Sequence, residues 1–501
     1  MKFNYKPMFK HISGITLFWL MGLLYAQAPR EGFAQYSFKF KINGLKDTVC
    51  YLGFNFGDKK FLRDTARVNS KGEVEFSPKT SRGKKDPMLG GVYLLILPDK
   101  ARYFEFLVNE PNIHIETDTA DFYKRMVVKQ SEENKIFLSY LLNIDANGAD
   151  IQKFRTIMED ETASEAEKKK AREGLEKINE TLLKFRRELA EKHPQTFASA
   201  LFRAMEEPNL AQVDTADKEK TYRYFKAHYF DGFDIRDNRM LRTPFYEQKL
   251  TFYFEKLVPQ IADSLIAEAD QFIGKLAGDK ELFKFVVHKL TFMFERSQVM
   301  CVDRAFVHMV ETYYRTGRAD WLNKEDLDKV LERSEKLRPV LCGEIVKDIN
   351  LPDTSGKVFH SLYKTQGKYK ILYFWDATCG HCKKATPALG ELYLSFLKPN
   401  NIAVFAVEGE IETKEWKKFL QEHKLPFVTV SDFPEMRDKP ELYVPRFTDI
   451  GSVNFRHNYD LRSYPVMFVL DQNHKIVGKG LSVEQLEDFL KKLMSQDEKK
   501  K

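Results

Sequence analysis

Two cysteines three residues apart follow an apolar run: Ile371-Leu-Tyr-Phe-Trp375, then Asp-Ala-Thr, then Cys379-Gly-His-Cys382. A short, unbroken apolar run bounded by polar residues reads as a buried strand. The segment from Cys379 to about Leu397 reads as a helix, so the pair opens a helix where a buried strand ends. The first turn of a helix has unpaired N–H groups and carries the positive end of its dipole. A thiolate there is stabilised and becomes a nucleophile near neutral pH. A spacing of three puts both sulfurs on one face of one turn, where they can close a compact disulfide. In that arrangement Cys379 is the exposed, attacking thiol and Cys382 the shielded one that resolves a mixed disulfide.

Strands and helices alternate around this pair. Val346–Leu351 reads as a strand, followed by a turn at Pro352-Asp-Thr-Ser-Gly356. Ile402–Val407 and Val466–Leu470 read as further core strands, and Asn473-His474 turns into Lys475–Gly478. Glu412–His423, with Trp416 and Phe419 on one side, and Val483–Leu493 read as helices. Alternation of this kind implies an α/β sheet with parallel pairing.

The stretch Phe374-Trp375-Asp376-Ala-Thr-Cys379-Gly-His381-Cys382-Lys-Lys-Ala-Thr-Pro387 resembles a thioredoxin active-site segment. The resemblance implies that Pro387 kinks the active-site helix. It also implies that Tyr464-Pro465, just before a core strand, is the family's cis-proline, packed against the disulfide and shaping the substrate groove. Cis bonds are essentially a proline feature. The leading Asn350–Val358 hairpin is similar to the extracytoplasmic thioredoxin-like reductases typified by ResA and TlpA. The resemblance covers 342–495. The upstream regions resemble those that precede such domains in some exported bacterial proteins, and that likeness carries no activity.

Two positions depart from the family. Tyr373 stands where thioredoxin has a buried acid, and Ala385 where the ResA-like group has a Glu. Asp376 or Glu408 could substitute, or be ordinary strand-end acids; otherwise proton transfer relies on His381 or water. Gly380-His381 is the dipeptide of protein disulfide isomerase, with a potential near −180 mV against about −270 mV for thioredoxin. That signal opposes the reductase-like framing, so direction stays open. The competing chemistries are a zinc site, a purely structural disulfide and a peroxiredoxin-like peroxidase. Structural zinc takes four protein ligands, and only His381 lies near the pair, so no metal is expected. The peroxidase pattern has a Thr three residues before its reactive Cys, where this chain has Asp376. No cofactor is expected beyond a redox-active Cys379–Cys382 disulfide.

The remaining cysteines are Cys50, Cys301 and Cys342, five in all, so at least one thiol is free. Cys50 reads as a small buried residue. Cys301 and Cys342 flank a boundary and could pair. So few cysteines in an exported chain point to one special pair, not a stapled fold. Export is read from the N-terminus: Lys2, Lys6, Lys10 and His11, then apolar Ile12–Tyr25, then Ala26, Ala28 and Ala34. This is the layout of a signal peptide over 1–28. Pro29 disfavours a cut after Ala28, which leaves 26–34 as the cleavage range. An uncleaved leader would anchor the chain. The expected location is the periplasm or the outer face of the inner membrane.

At 501 residues the chain is expected to hold about three domains. Over 35–122, Tyr36, Phe38, Phe40 and Ile42 alternate with polar residues. Hairpins are expected at Asn43-Gly44, across Val68–Phe76 and across Val92–Val108, and Ile113–Thr117 closes the series with His114 facing solvent. This is a small β-sandwich. Over 130–340 the pattern is helical. Ser164 and Glu167 form a capping box, and Leu175, Ile178, Leu182, Phe185 and Leu189 make an apolar seam that ends at Pro194. Further helices are expected over 245–257, 261–276, 282–294, 305–316 and 324–337, with His288 and His308 in structural roles. The fold class is therefore a multidomain α+β chain: N-terminal β-sandwich, central all-helical domain, C-terminal α/β thioredoxin fold over 342–495.

The net charge is +7, but both signs are interleaved, which argues against nucleic acid. Expected partners are protein thiols or disulfides and a membrane electron donor or acceptor. The alternative from another class is a cell-envelope binding or scaffold protein with an ancillary thioredoxin domain.

Overall fold

The computed structural model describes residues 32–78, 87–276, 278–409 and 413–499. The expected leader at 1–28 lies outside them. No described helix is long and apolar enough to cross a membrane. The chain forms two compact units: Met1–Val258 with Lys275–Phe283, and Pro259–Gly274 with Lys284–Lys501.

The first unit begins with eight strands: β1 (Ser37–Asn43), β2 (Thr48–Phe56), β3 (Lys59–Val68), β4 (Glu73–Phe76), β5 (Gly91–Ile96), β6 (Tyr103–Val108), β7 (Asn112–Asp118) and β8 (Val127–Gln130). They form two four-stranded sheets, ordered β4-β1-β7-β8 and β3-β2-β5-β6. Alternate residues of β1 (Phe38, Phe40 and Ile42) meet Leu52, Leu95, Phe104 and Phe106 of the other sheet in one core. The Phe40 ring lies edge-on to Phe106 at 5.0 Å and Phe104 at 5.9 Å.

Two of the three expected hairpins are instead corners. The Asn43-Gly44 turn joins β1 to β2, and the turn after Val68 joins β3 to β4; each pair lies in different sheets. β1 pairs with β4 and, in parallel, with β7. A turn motif reverses the chain, but cannot specify which strand receives the ladder bonds. Only Val92–Val108 is a paired hairpin, β5 with β6. A further hairpin, β2 with β3, turns at Gly57-Asp58. His114 is half-buried on β7.

Helices then pack on the sandwich. Ser131 caps the Glu132–Glu159 helix. Asn134 in its first turn acts as a peptide mimic: its amide accepts from Leu107 N–H at 2.8 Å and donates to Leu107 C=O at 2.9 Å. Its neighbour Glu133 accepts the Phe197 and Ala198 N–H groups, both at 2.8 Å, at the start of the Phe197–Ala204 helix. The Glu165–Lys192 helix carries the Ser164–Glu167 capping box. Its seam is half-buried, and a Cβ on Gly174 would meet the Phe154 ring at 2.5 Å.

The helical segment expected as one domain over 130–340 is divided between the two units. Its early helices are tied to the sandwich through Asn134. Its later ones are tied to the C-terminal sheet: Cys301 and Cys342 form a disulfide, and Lys479 pairs with Asp303 and donates to the Val340 carbonyl at 2.7 Å. A helical period reports which face is buried, but not against what.

In the second unit, β9 (Asn350–Pro352) and β10 (Phe359–Ser361) form a short hairpin. The expected strand over Val346–Leu351 is thus shorter and later. Its first part is irregular, because the Asp348 carboxylate takes the Ile349 and Tyr363 N–H groups. The main sheet has the order β13-β12-β11-β14-β15, from β11 (Tyr369–Trp375), β12 (Ile402–Glu408), β13 (Val428–Val430), β14 (Val466–Asp471) and β15 (Ile476–Lys479). β12 runs parallel to both β11 and β13, while β14 is antiparallel to β11 and β15 to β14.

Every residue of β11 is buried. Ile371, Tyr373 and Trp375 join a core with Cys382, Trp416, Phe419 and Leu486, from the three helices on that face. Leu372 and Phe374 join Leu351, Met436, Phe455 and Tyr459 on the other.

Asn134→Ala should leave the Leu107 peptide without partners in a buried site. The expected cost is roughly 2 kcal/mol, read as a lower urea midpoint for the transition of the N-terminal unit.

Candidate active site

β11 delivers the chain to the site, and Asp376 turns it. The buried Asp376 carboxylate accepts the Thr378 N–H at 2.6 Å, the Thr378 hydroxyl at 2.8 Å and the Cys379 N–H at 3.3 Å, all on one oxygen. This places Cys379 as the N-cap of the Gly380–Leu392 helix. Asp376 is thus a builder of the loop that presents the cysteine.

The two thiols differ sharply in setting. Cys379 is half-buried, and its Sγ donates to the Tyr464 carbonyl at 3.5 Å. Cys382, one turn on, is fully buried. Burial pushes the Cys382 thiol up to about 12; the Cys379 side chain and the Asp376 charge act in the same direction, and a backbone hydrogen bond from Asp376 opposes. The Tyr464–Pro465 peptide is cis, and Pro465 is exposed beside the pair's acceptor. His381 stands exposed on the first turn of the helix. Pro387 lies inside the helix, where its missing N–H breaks one backbone bond.

Trp375 does not reach the surface. It is fully buried, packed against Phe419 at 5.0 Å, so it supports the site through the core. Tyr373 is buried in the same core as Cys382, with its hydroxyl 3.0 Å from the Thr386 hydroxyl. Burial raises its hydroxyl far above the ordinary range, so it stays protonated. Glu408, at the end of β12, is buried and receives the Ser431 hydroxyl at 3.3 Å and the Ala377 N–H at 3.5 Å.

Four residues beside the site carry no motif: Gly409, Asp432, Arg437 and Arg456. The guanidinium of Arg456 joins Asp432 to the Gly409 carbonyl. Arg437 also reaches Asp432, at 3.2 Å. Their order in the chain contains no signal, because they converge only when the segment between β13 and β14 folds. His308 is remote from the cysteines in sequence and pairs with Asp270 among the helices. Among the described residues, no cluster of three or more His, Cys, Asp or Glu side chains could hold a metal.

Residues 342–479 match the family model described as the AhpC/TSA family. The C-terminal domain is thus similar to thioredoxin-like proteins. Residues 163–337 match a second model, a domain of unknown function termed DUF5106. The chain is 32% identical over 95 residues to a thioredoxin-like protein of Haemophilus influenzae, covering 19% of this chain and 54% of that one. It thus spans about half the length of this curated relative. Among solved structures, a domain of a possible thiol-disulfide isomerase from Cytophaga hutchinsonii is 32% identical, with 32% of this chain and 97% of that one covered and a TM-score of 0.27. A thioredoxin-like protein from Bacteroides caccae is 17% identical, with 57% and 97% covered and a TM-score of 0.43.

The contrast in burial within this thioredoxin-like pair has a direct readout. In the reduced, folded chain at about pH 7.5, a brief iodoacetamide pulse should label Cys379 alone among the three free cysteines, because thiolate is the reacting form. Burial pushes Cys50 up to about 12 as well as Cys382. Peptide mass spectrometry checks this, and rapid labelling of Cys382 would contradict the asymmetry.

Proposed function

We propose that this chain is an exported thiol–disulfide oxidoreductase that exchanges disulfides with protein substrates through Cys379 and Cys382. The observation that carries the reading is the asymmetry of the pair: an accessible sulfur at a helix N-cap, with a buried sulfur one turn behind it.

In the reducing direction, Cys379 thiolate attacks one sulfur of a substrate disulfide. The substrate S–S bond breaks, its departing sulfur takes up a proton, and a mixed disulfide remains. Cys382 then loses its proton and attacks Cys379 Sγ. The Cys379–Cys382 bond forms and the second substrate thiol leaves. The substrate gains two electrons and two protons; the chain supplies the electrons and the Cys382 proton, and solvent supplies the proton that Cys379 had already released. A dithiol partner restores the pair, for which a membrane electron donor is the fitting class; in the oxidising direction that partner is an acceptor. Burial of Cys382 keeps it protonated until the mixed disulfide brings a sulfur within reach, which suppresses attack on the wrong target. Tyr464 and Pro465 border the groove in which the substrate would lie, and His381 stands at its rim. The pair itself is the only redox group the reaction needs. The basic and apolar segments of residues 1–28 support export to the periplasm or to the outer face of the inner membrane.

Insulin reduction with dithiothreitol tests the activity. Cys379→Ser should lower the rate on the order of a thousandfold or more. Cys382→Ser should accumulate mixed disulfides that a reductant releases. Undiminished turnover in Cys379→Ser would sink the reading, and Cys379-dependent hydroperoxide consumption without disulfide exchange would replace it with a peroxidase.

A further inference from the structure

Beside the Tyr464 carbonyl lies an ion pair whose acid is buried and whose base is half-buried. The Asp432 carboxylate is completely out of solvent. Arg456 meets it end-on, with Nη1 to Oδ2 at 2.7 Å and Nη2 to Oδ1 at 2.9 Å. A two-point bond to a carboxylate fixes the plane of a guanidinium. The same group donates Nε and Nη2 to the Gly409 carbonyl at 3.1 and 2.8 Å. Gly409 is also tied to β11, through its N–H to the Trp375 carbonyl at 2.7 Å. The peptide at Gly409 is therefore anchored on both sides.

Tyr464 rests on that anchored peptide. A Cβ at Gly409 would lie 2.1 Å from the Tyr464 hydroxyl oxygen and 2.3 Å from the ring carbon bearing it. Only glycine lets the ring sit there. The backbone of the same Tyr464 supplies the carbonyl that accepts the Cys379 thiol at 3.5 Å. That bond needs a proton on sulfur. It exists while Cys379 is a protonated thiol and vanishes both in its thiolate and in the Cys379–Cys382 disulfide, so it favours the reduced state wherever the thiol form is populated. Whatever holds this carbonyl in place stabilises one redox state and not the other.

We propose that Arg456 is a positioning residue: through Gly409 and the Tyr464 ring it holds the carbonyl that stabilises reduced Cys379, and so tilts the pair toward the dithiol. This rests on the exchange reading above. The equilibrium is one disulfide plus two glutathione thiols giving one dithiol plus glutathione disulfide. One S–S bond breaks, one forms, and two protons move with two electrons. A tilt toward the dithiol makes the pair a stronger oxidant.

The test equilibrates the full chain in glutathione buffers, followed by differential alkylation read on the peptide carrying Cys379 and Cys382. Gly409→Ala and Arg456→Lys both preserve net charge, and Gly409→Ala also leaves every charged group in place, so its shift does not arise from an altered charge. The first displaces the Tyr464 ring and leaves the Arg456–Asp432 pair intact. The second keeps a cation but loses the planar fork. Each should move the constant about threefold toward the disulfide, or about 14 mV at 29.6 mV per tenfold. The double variant should move it no further than either single one, because both act through one carbonyl. A wild-type constant in either folded variant overturns the proposal. If Arg456→Lys does not fold, Gly409→Ala decides alone: a shift supports the proposal and no shift overturns it. A wild-type pair that never equilibrates with glutathione sinks the exchange reading instead.

Discussion

Burial of β11 on both faces is the constraint on which the second unit depends. A strand with no solvent-facing side must be covered above and below. Helices carrying Cys382, Trp416 and Leu486 cover one face, and the β9–β10 hairpin with the segment around Met436, Phe455 and Tyr459 covers the other. Because the strand cannot shift, its end is a rigid platform. Asp376 then needs only one carboxylate oxygen to turn the chain and seat Cys379 at the helix start. The chemistry is thus fastened to the most buried strand of the domain, as a precise site requires.

The same economy separates the two cysteines. A helix that lies on a buried sheet has one wet side and one dry side. Residue 379 caps the end, and residue 382 falls on the dry side beside Tyr373. The difference between an open and a guarded thiol needs no dedicated residue. What does need dedicated residues is the acceptor opposite Cys379, and these lie far apart in the chain: Gly409 after β12, Asp432 after β13, and Arg456 and Tyr464 before β14.

The upstream chain serves the two units differently. Asn134 and Glu133 convert the first turn of a helix into an extension of the sandwich, one by imitating a peptide and the other by capping a neighbouring helix. The Cys301–Cys342 bond joins the later helices to the segment that leads into β9, and the Lys479–Asp303 pair joins them to the edge strand β15. Residues that share a helical pattern in sequence therefore end in different compact units.

The legible parts were those set by local periodicity or by a contiguous motif. The apolar run of β11, the capping box at Ser164 and the Cys379–Cys382 spacing each state their own geometry within a few residues. The alternating strands of the sandwich were legible as strands, but not as pairs. Asn43-Gly44 marks a reversal, and the choice between a hairpin and a corner was made by the β1–β7 ladder, whose partners lie about 75 positions apart. The pairing of Cys301 with Cys342, left open by the sequence, is settled only where the fold brings their Cα atoms to 5.5 Å. Asp376 and Glu408 were legible as acids near a strand end, but not the groups they hydrogen-bond. By itself, then, the sequence determined a buried strand, a helix start and two sulfurs on one turn, because these depend on neighbours in the chain. Tertiary structure alone decided the environment of those sulfurs, because the carbonyl facing Cys379 is placed by residues that no local rule connects.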